Sequence, residues 1–413
     1  MSVKKLFDFA RQYVLGRHLP HGVVCWRYLS PYPSPQMRVH RQLWLLSRPS
    51  KMPLALFFLI ELFLWLRWVL FAGFCATWRA VHYRGETIRK HEGLSRISQM
   101  TKILSISLGY CMPPAEIYAF GLYKSSSKRD VLSYIFTHEL PAFHLWRNAK
   151  RAETLKASQV LQDKYETAKL LGTKGIPMSP LLAMVPRGAA FDAKVFLQDH
   201  PRIFLKPRHG SRSQDAFIIE IKNGQGRIAI YAVKNGCQAQ PATQEQLCQA
   251  MQRDDFLVQP FLNNHDSFSA LTPAMDVVTM RVITEYHPRS GISCYSATIE
   301  IPHDSDPVQY GHIILPIDLA SGRPNPFPDV HLPVEVQARY GAIHQRMGGF
   351  IIPFWEDIYK SALHAHECFP DIYAIAWDYV ATPKGPYLLE GNTGWGTRTP
   401  QMISGGLLLN INS

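Results

Sequence analysis

The spacing of hydrophobic and polar positions changes several times along the chain. Residues 53 to 78, PLALFFLIELFLWLRWVLFAGFCATW, are almost continuously apolar. They are long enough for a helix that crosses a bilayer, for which about 20 apolar residues suffice. Only Glu61 and Arg67 interrupt the run, and at six residues apart they do not face each other as an i, i+4 pair would. A helical pattern follows over 152–180, ended by Gly172 and Gly175, and Pro177 opens an extended segment. Short β-rich runs come next: RIFLKP (202–207), AFIIEI (216–221), GRIAIYAV (226–233) and FLVQPF (256–261). The second half alternates strands such as VVTMRVIT (277–284) and GISCYSATIEI (291–301) with one helix around 334–368. It ends in two strands, YAIAWDYV (373–380) and PYLLEGN (386–392), joined by ATPKG. No internal repeat is visible, and helices and strands in separate runs predict an α+β fold.

Composition narrows the class. The chain has 413 residues, 46% of them hydrophobic, enough for a substantial core and for two or three domains of about 150 residues each. A net charge of +12 and a pI near 9.3 favour acidic partners: nucleotides, nucleic acid or anionic lipid head groups. The excess is concentrated in residues 1–52, where Lys4, Lys5, Arg11, Arg17, Arg27, Arg38, Arg41, Arg48 and Lys51 stand against Asp8 alone. The seven cysteines form no C-x-x-C pair and read as reduced thiols of a cytosolic protein. His364, His366 and Cys368 lie in a helical segment where i and i+2 diverge, so they read as surface residues rather than a zinc set.

The final pair of strands carries the chemistry. In a strand, i and i+2 share a face, so Glu390 and Asn392 present their oxygens side by side. A five-residue loop at 381–385 sets position 378 opposite 388 and brings Asp378 to that face. A four-residue loop would reverse the parity. Two carboxylates and an amide oxygen from adjacent strands suit Mg²⁺, which leaves its other positions to water and substrate phosphates.

With the blocks that precede it, this hairpin resembles the ATP-grasp superfamily, and within it the sugar-transfer-associated branch, over roughly 155–405. Lys206 in FLKPRHGSRS matches the strand lysine that contacts nucleotide phosphate, and Lys164 in LQDKYETAKLLGTKGIP matches the lysine of the upstream DK helix. FLVQPFLNNH has the form of the adenine-binding hinge. The resemblance places Gln259 near the exocyclic amine and the backbone of Phe261 and Leu262 on the ring edge, with Asp266 toward the ribose. DVVTMRVIT resembles the strand with a central arginine, so Arg281 would meet the transferred phosphate. The phosphate loop departs from the usual glycine-rich form: it keeps Gly210 and supplies Ser211, Arg212 and Ser213, with Arg208 and Arg212 as extra positive charge.

What the resemblance implies is an ATP-grasp fold of two α+β subdomains clasping ATP, preceded by a basic, partly hydrophobic helical N-terminal region. The implied boundaries are 1–100 for the basic arm and membrane-associating helix, 101–177 for an N-terminal α/β region, 178–262 for the lid subdomain and 263–413 for the metal-binding subdomain. The implied reaction is ATP- and Mg²⁺-dependent ligation, in which a carboxylate forms an acyl phosphate and an amine or hydroxyl displaces phosphate. Alternatives are phosphoryl transfer to a hydroxyl and a non-catalytic nucleotide-binding regulator. Arg398 and Gln401, in GTRTPQ, are candidates to hold the carboxylate, and the family's name points to polysaccharide biosynthesis rather than a nucleic-acid partner. ATP and Mg²⁺ place the domain in the cytosol, and basic arms also stay on the cytoplasmic side. A single span would separate the two. The expectation is therefore a peripheral or monotopic attachment to the inner leaflet of the plasma membrane through 53–78, near Trp65, Trp68 and Trp78, the alternative being a buried helix of a cytoplasmic protein.

Overall fold

The computed structural model describes residues 25–124, 130–148, 154–210, 215–222, 227–234, 238–269, 271, 277–302, 312–326, 341, 343 and 345–409. Two compact units emerge, one of residues 1–150, 327–339 and 396–413, the other of 151–326 and 340–395. The division falls at 150 rather than at 100 and 177, and the stretch from Gly396 onward returns to the first unit.

The described residues of the first unit form helices joined by turns, with no strand among them. The α/β character expected for 101–177 is absent from the described residues there, which form helical segments and turns. Ser34 caps the helix Pro35–Leu46 by accepting from Met37 N at 3.2 Å, with Pro35 in the first turn. Ser95 does the same for Arg96–Tyr110 through Ser98 N. The apolar stretch becomes one continuous helix longer than the sequence reading: Leu54–Arg67, a π turn at Trp68–Ala72, then Gly73–Glu92. Its buried stripe runs Phe57, Glu61, Leu64, Trp68, then Thr77, Val81 and Ile88. Glu61, 1% exposed, accepts from Trp44 Nε1 at 3.4 Å, which answers how an acid is tolerated in so apolar a run. Trp68 Nε1 donates to Ser107 O at 3.2 Å across to the helix Arg96–Tyr110. Gly73 permits that approach, since a Cβ there would lie 2.7 Å from Leu108.

The second unit holds two antiparallel sheets. Strands β1 (Ala183–Val185), β2 (Arg202–Pro207), β3 (Ala216–Ile221), β4 (Ile228–Lys234), β5 (Gln238–Pro241) and β6 (Phe256–Pro260) form the first, in the order β1-β6-β2-β3-β4-β5. Strands β7 (Thr279–His287), β8 (Gly291–Pro302), β9 (His312–Pro316), β10 (Ala374–Thr382) and β11 (Gly385–Asn392) form the second, in the order β11-β10-β7-β8-β9. On the first sheet Ile203, Leu205, Phe256 and Val258 pack a core with Phe217, Ile219 and Leu247. The other face carries Phe204, Lys206, Leu257 and Gln259, because Phe204 pairs with Gln259 and Lys206 with Leu257.

One side of the second sheet is covered by the helix Trp355–Glu367. Tyr379 donates from its hydroxyl to Ser361 Oγ at 3.0 Å, and Trp377 Nε1 donates to Thr284 Oγ1 at 2.9 Å. His366, expected at the surface, is fully buried here. Its Nε2 lies 2.9 Å from the Ile372 carbonyl and so carries the proton, leaving Nδ1 to accept from Thr284 Oγ1 at 2.7 Å. The opposite side of this sheet presents its polar residues.

Candidate active site

Asp378, Glu390 and Asn392 do share a face, but the hairpin reaches that outcome by another route. The turn is only Pro383-Lys384, since Thr382 pairs with Gly385, Val380 with Tyr387 and Tyr379 with Leu388. That even-numbered loop alone would oppose Asp378 to Leu389 and turn its carboxylate away. A β-bulge between Asp378 and Tyr379 skips Leu389 and pairs Asp378 with Glu390, which restores the parity. The skipped residue has a second use: its carbonyl accepts from Lys206 Nζ at 3.3 Å. Thus the bulge both aims the acids and offers an acceptor to the lysine of β2.

Asn392 Nδ2 lies 3.3 Å from Asp378 Oδ2 and 3.3 Å from Glu390 Oε1, so the three side chains converge on one point. Among the described residues no three His, Cys, Asp or Glu side chains gather into a metal-holding group. The donor set is therefore two carboxylates and an amide oxygen, which the Asn392 amide can offer by turning over. All are hard oxygen donors, too few for a closed all-protein cage and suited to Mg²⁺ shared with phosphate oxygens. The residues fit that ion.

Arg281, beside Asp378 in the register of β7 and β10, donates from Nε to Asp378 Oδ1 at 2.8 Å and from Nη2 to Oδ2 at 3.1 Å. Its Nη1 reaches Glu300 Oε1 at 3.1 Å. The Asp378 charge, against the cost of burial, holds the guanidinium firmly protonated. Burial, with Glu300 and Glu390 adding to it, pushes Asp378 up to about 6 although Arg281 pulls the other way. Glu300 was missed from sequence. Its signal was the alternation of SATIEI in β8, where Thr298 and Glu300 point the same way and a lone acid sits in an apolar run.

Lys164 opens the helix Lys164–Thr173, whose N-cap, Asp163, breaks the expected single helix in two. Its Nζ donates to Gly210 O at 2.7 Å, just past the end of β2. Burial lowers its pKa, opposed by Glu390, Asp254 and Asp163. Ser211, Ser213 and Arg212 lie outside the described residues. Arg208 is corrected: it is not spare phosphate charge. It donates to both oxygens of Asp163, at 2.6 Å from Nη2, and to Asp255 at 3.3 Å, while its carbonyl accepts from Lys164 N at 3.2 Å. Arg208 therefore latches the DK helix to the end of β2.

In FLVQPFLNNH, Gln259 Nε2 donates to Ser179 O at 3.3 Å, which leaves Oε1 able to accept. The Phe261 N–H is taken by Arg202 O at 3.1 Å, so it is not available to a base edge. Leu262 N–H has no partner among the described residues. Asp266 is exposed in a short turn that His265 N ties to Ala381 O at 2.8 Å. Arg398 and Gln401 belong to the first unit. Gln401 is 1% exposed: Oε1 accepts from Ile135 N at 2.7 Å and Nε2 donates to Ile135 O at 2.9 Å. Its amide is consumed in holding the backbone, which corrects the substrate role. Arg398 acts on Glu116, whose carboxyl burial raises to about 7 against the opposing pull of Thr137 and Arg398.

The model of the sugar-transfer-associated ATP-grasp family matches residues 147–412. The chain belongs to that family. ATP-grasp proteins work with ATP and Mg²⁺, the cofactors for which these residues are suited. No curated protein matches the chain. Among solved structures it is similar to the ATP-grasp ligase PsnB complexed with minimal precursor, at 12% identity and a TM-score of 0.34 over 66% of this chain and 64% of that one. It is also similar to D-alanyl-alanine synthetase A from Vibrio cholerae O1 biovar eltor str. N16961, at 14% identity and a TM-score of 0.35 over 62% and 67% of the two chains. D-alanine–D-alanine ligase from Bacillus anthracis matches at 12% and 0.33 over 57% of each. Likenesses of this size carry no argument about the reaction of this ATP-grasp protein.

A titration follows from the position of Lys206. Burial lowers it to about 8, with Glu390 and Asp378 opposing and Lys164 assisting. From about pH 8 up to the ordinary lysine range the unfolded chain holds a proton that the folded protein lacks, so this group favours the folded state more as pH rises. Phosphate brings counter-charge and returns the proton. ATP binding above pH 8 is thus expected to take up a proton, with affinity falling by up to about tenfold per pH unit. Calorimetry in two buffers of different ionisation enthalpy measures this, and identical heats at pH 9 would contradict it.

Proposed function

We propose that this ATP-grasp protein is a carboxylate ligase that forms an amide or ester through an acyl phosphate, on a cell-envelope or glycan-linked acceptor at the cytoplasmic face of the plasma membrane. The observation that carries the reading is the reach of Lys206 Nζ to Leu389 O at 3.3 Å, which brings the phosphate lysine against the strand of Glu390 and Asn392. Mg²⁺ held by Asp378, Glu390 and Asn392 would supply charge neutralisation at the polyphosphate. Lys164 and Lys206 bind the phosphates as point charges. Gln259 Oε1 and Leu262 N–H orient the adenine, and Asp266 receives the ribose. Arg281, kept in place by Glu300 as well as by Asp378, turns to the transferred group and stabilises the charge that develops there.

The reaction balances simply. A carboxylate oxygen attacks the γ-phosphorus and ADP leaves; the acceptor's nitrogen or oxygen attacks the acyl carbon, loses its proton, and phosphate leaves with the original carboxylate oxygen. The test is an incubation with ATP, Mg²⁺, a pool of ¹⁸O-labelled carboxylates and a pool of amines and hydroxyl acceptors, read by mass spectrometry. The expected result is one ¹⁸O in the released phosphate and a condensed product. ADP with a phosphorylated acceptor would mean phosphoryl transfer, and no ADP would mean a regulator.

A further inference from the structure

The continuous helix from Leu54 has two unlike faces. One is packed into the first unit through Phe57, Leu64, Trp68, Val81 and Ile88. On the other, Leu54, Leu56, Phe58, Leu59, Leu62, Phe63, Leu66, Leu70, Phe71, Phe74 and Trp78 are exposed, Leu59 at 65%, Leu70 at 76% and Phe71 at 69%. Soluble surfaces scatter such residues singly. Here they form one stripe, 56, 59, 63, 66, 70, 74 and 78, at helical steps of three and four, about 33 Å long at 1.5 Å per residue. The π turn at Trp68–Ala72 adds one residue to the winding. The buried stripe accordingly jumps from Trp68 to Gly73, and the apolar face continues unbroken past the turn.

Charge says what covers this face. Between Cys25 and Gly85 the one acidic residue is Glu61, and it is buried on Trp44. The same stretch carries Arg38, Arg41, Lys51 and Arg79 exposed. Trp26, Tyr32, Trp78 and Tyr83, residue types that settle at the head-group level of a bilayer, are exposed as well. A second copy docked here would set these cations against their own equivalents. A surface of anionic lipid meets both the apolar stripe and the unbalanced positive charge of this stretch.

We propose that the exposed face of residues 54–78 lies in the plane of an anionic bilayer surface, its leucines and phenylalanines in the acyl boundary and Arg38, Arg41, Lys51 and Arg79 at the phosphates. The helix does not span. Its opposite face is committed to the protein core, and the apolar stripe runs along the axis rather than around it. This deepens the location given above and is independent of the reaction.

The test is flotation of the full-length protein with vesicles of phosphatidylcholine, with and without phosphatidylglycerol, in the absence of ATP. The wild-type chain is expected to float with the anionic vesicles and to be released in part by salt. The variant Leu59→Glu/Leu62→Glu/Leu70→Glu is expected to bind at least about tenfold less, with unchanged circular dichroism, melting temperature and ATP binding. Unchanged flotation of the folded variant would overturn the proposal. So would a wild-type chain that stays in the aqueous phase and sediments as a dimer, which would give the face to a second copy. A wild-type chain that floats with the anionic vesicles but shows no ligase activity would count against the proposed reaction alone.

Discussion

Asp378→Asn and Glu390→Gln are each expected to lower ATP turnover by at least about a hundredfold, about 2.7 kcal/mol in the barrier. Both carboxylates lie 3.3 Å from the same Asn392 nitrogen, so each variant removes one of the two negative charges at the point where a cation would sit. Either amide can still hydrogen-bond to Asn392, so the metal-free fold should persist. Asp378→Asn has a further consequence, because it leaves the Arg281 guanidinium with Glu300 as its remaining anionic partner at 3.1 Å. Glu300→Gln provides the comparison: it touches the guanidinium and not Asn392, and its effect should be several-fold at most. ADP release across a Mg²⁺ titration, alongside Mn²⁺ binding by electron paramagnetic resonance, measures both consequences. Wild-type rates and wild-type Mn²⁺ affinity in the two acid variants would remove the metal assignment.

Gly391→Val is expected to cost about 3 kcal/mol of stability, the upper part of the usual range for overpacking. A Cβ at position 391 would stand 2.5 and 2.8 Å from ring carbons of Trp377 and 2.9 Å from Leu161. The Trp377 ring cannot step aside cheaply, since Nε1 is bonded to Thr284 Oγ1 at 2.9 Å and Phe369 packs against it. Something must shift, and Gly391 sits between the two β11 residues of the oxygen set. Calorimetry is expected to show the unit's melting temperature lowered by roughly 5 to 10 °C, with weaker Mn²⁺ binding. An unchanged transition would show that the β11–Trp377 contact is loose.

Local pattern was enough for several elements. RIFLKP and AFIIEI are strands over the expected residues, β2 and β3, because β-branched and aromatic residues suit a pleated strand, half-buried in β2 and buried on both faces over Ala216–Ile219 in β3. Strands β1, β5 and β9 leave no such pattern: they are three to five residues long, and all three are sheet edges with little side-chain patterning to betray them. Asp163 did not announce a helix break, since an aspartate within a helical pattern becomes an N-cap only once its carboxylate meets Tyr165 N and Glu166 N.

By itself the sequence determined the order of chemistry along the chain: a lysine after an aspartate in a helical pattern, a lysine near the end of a strand, an arginine within another, and the Glu-x-Asn step of the last. Those follow from residue type and short-range period, which are local. The tertiary structure decided the rest. Whether Asp378 faces Glu390 depended on a two-residue turn and a one-residue bulge whose parities cancel, and a bulge leaves no mark in composition. Arg208 became a latch because Asp163 and Asp255, far from it in sequence, arrive at its guanidinium. Residues 54–78 became a helix with one face buried because Trp44, Ser107 and Leu108 approach one side of it. Each of these depends on where distant backbone segments cross, and that is set by the packing of the whole unit.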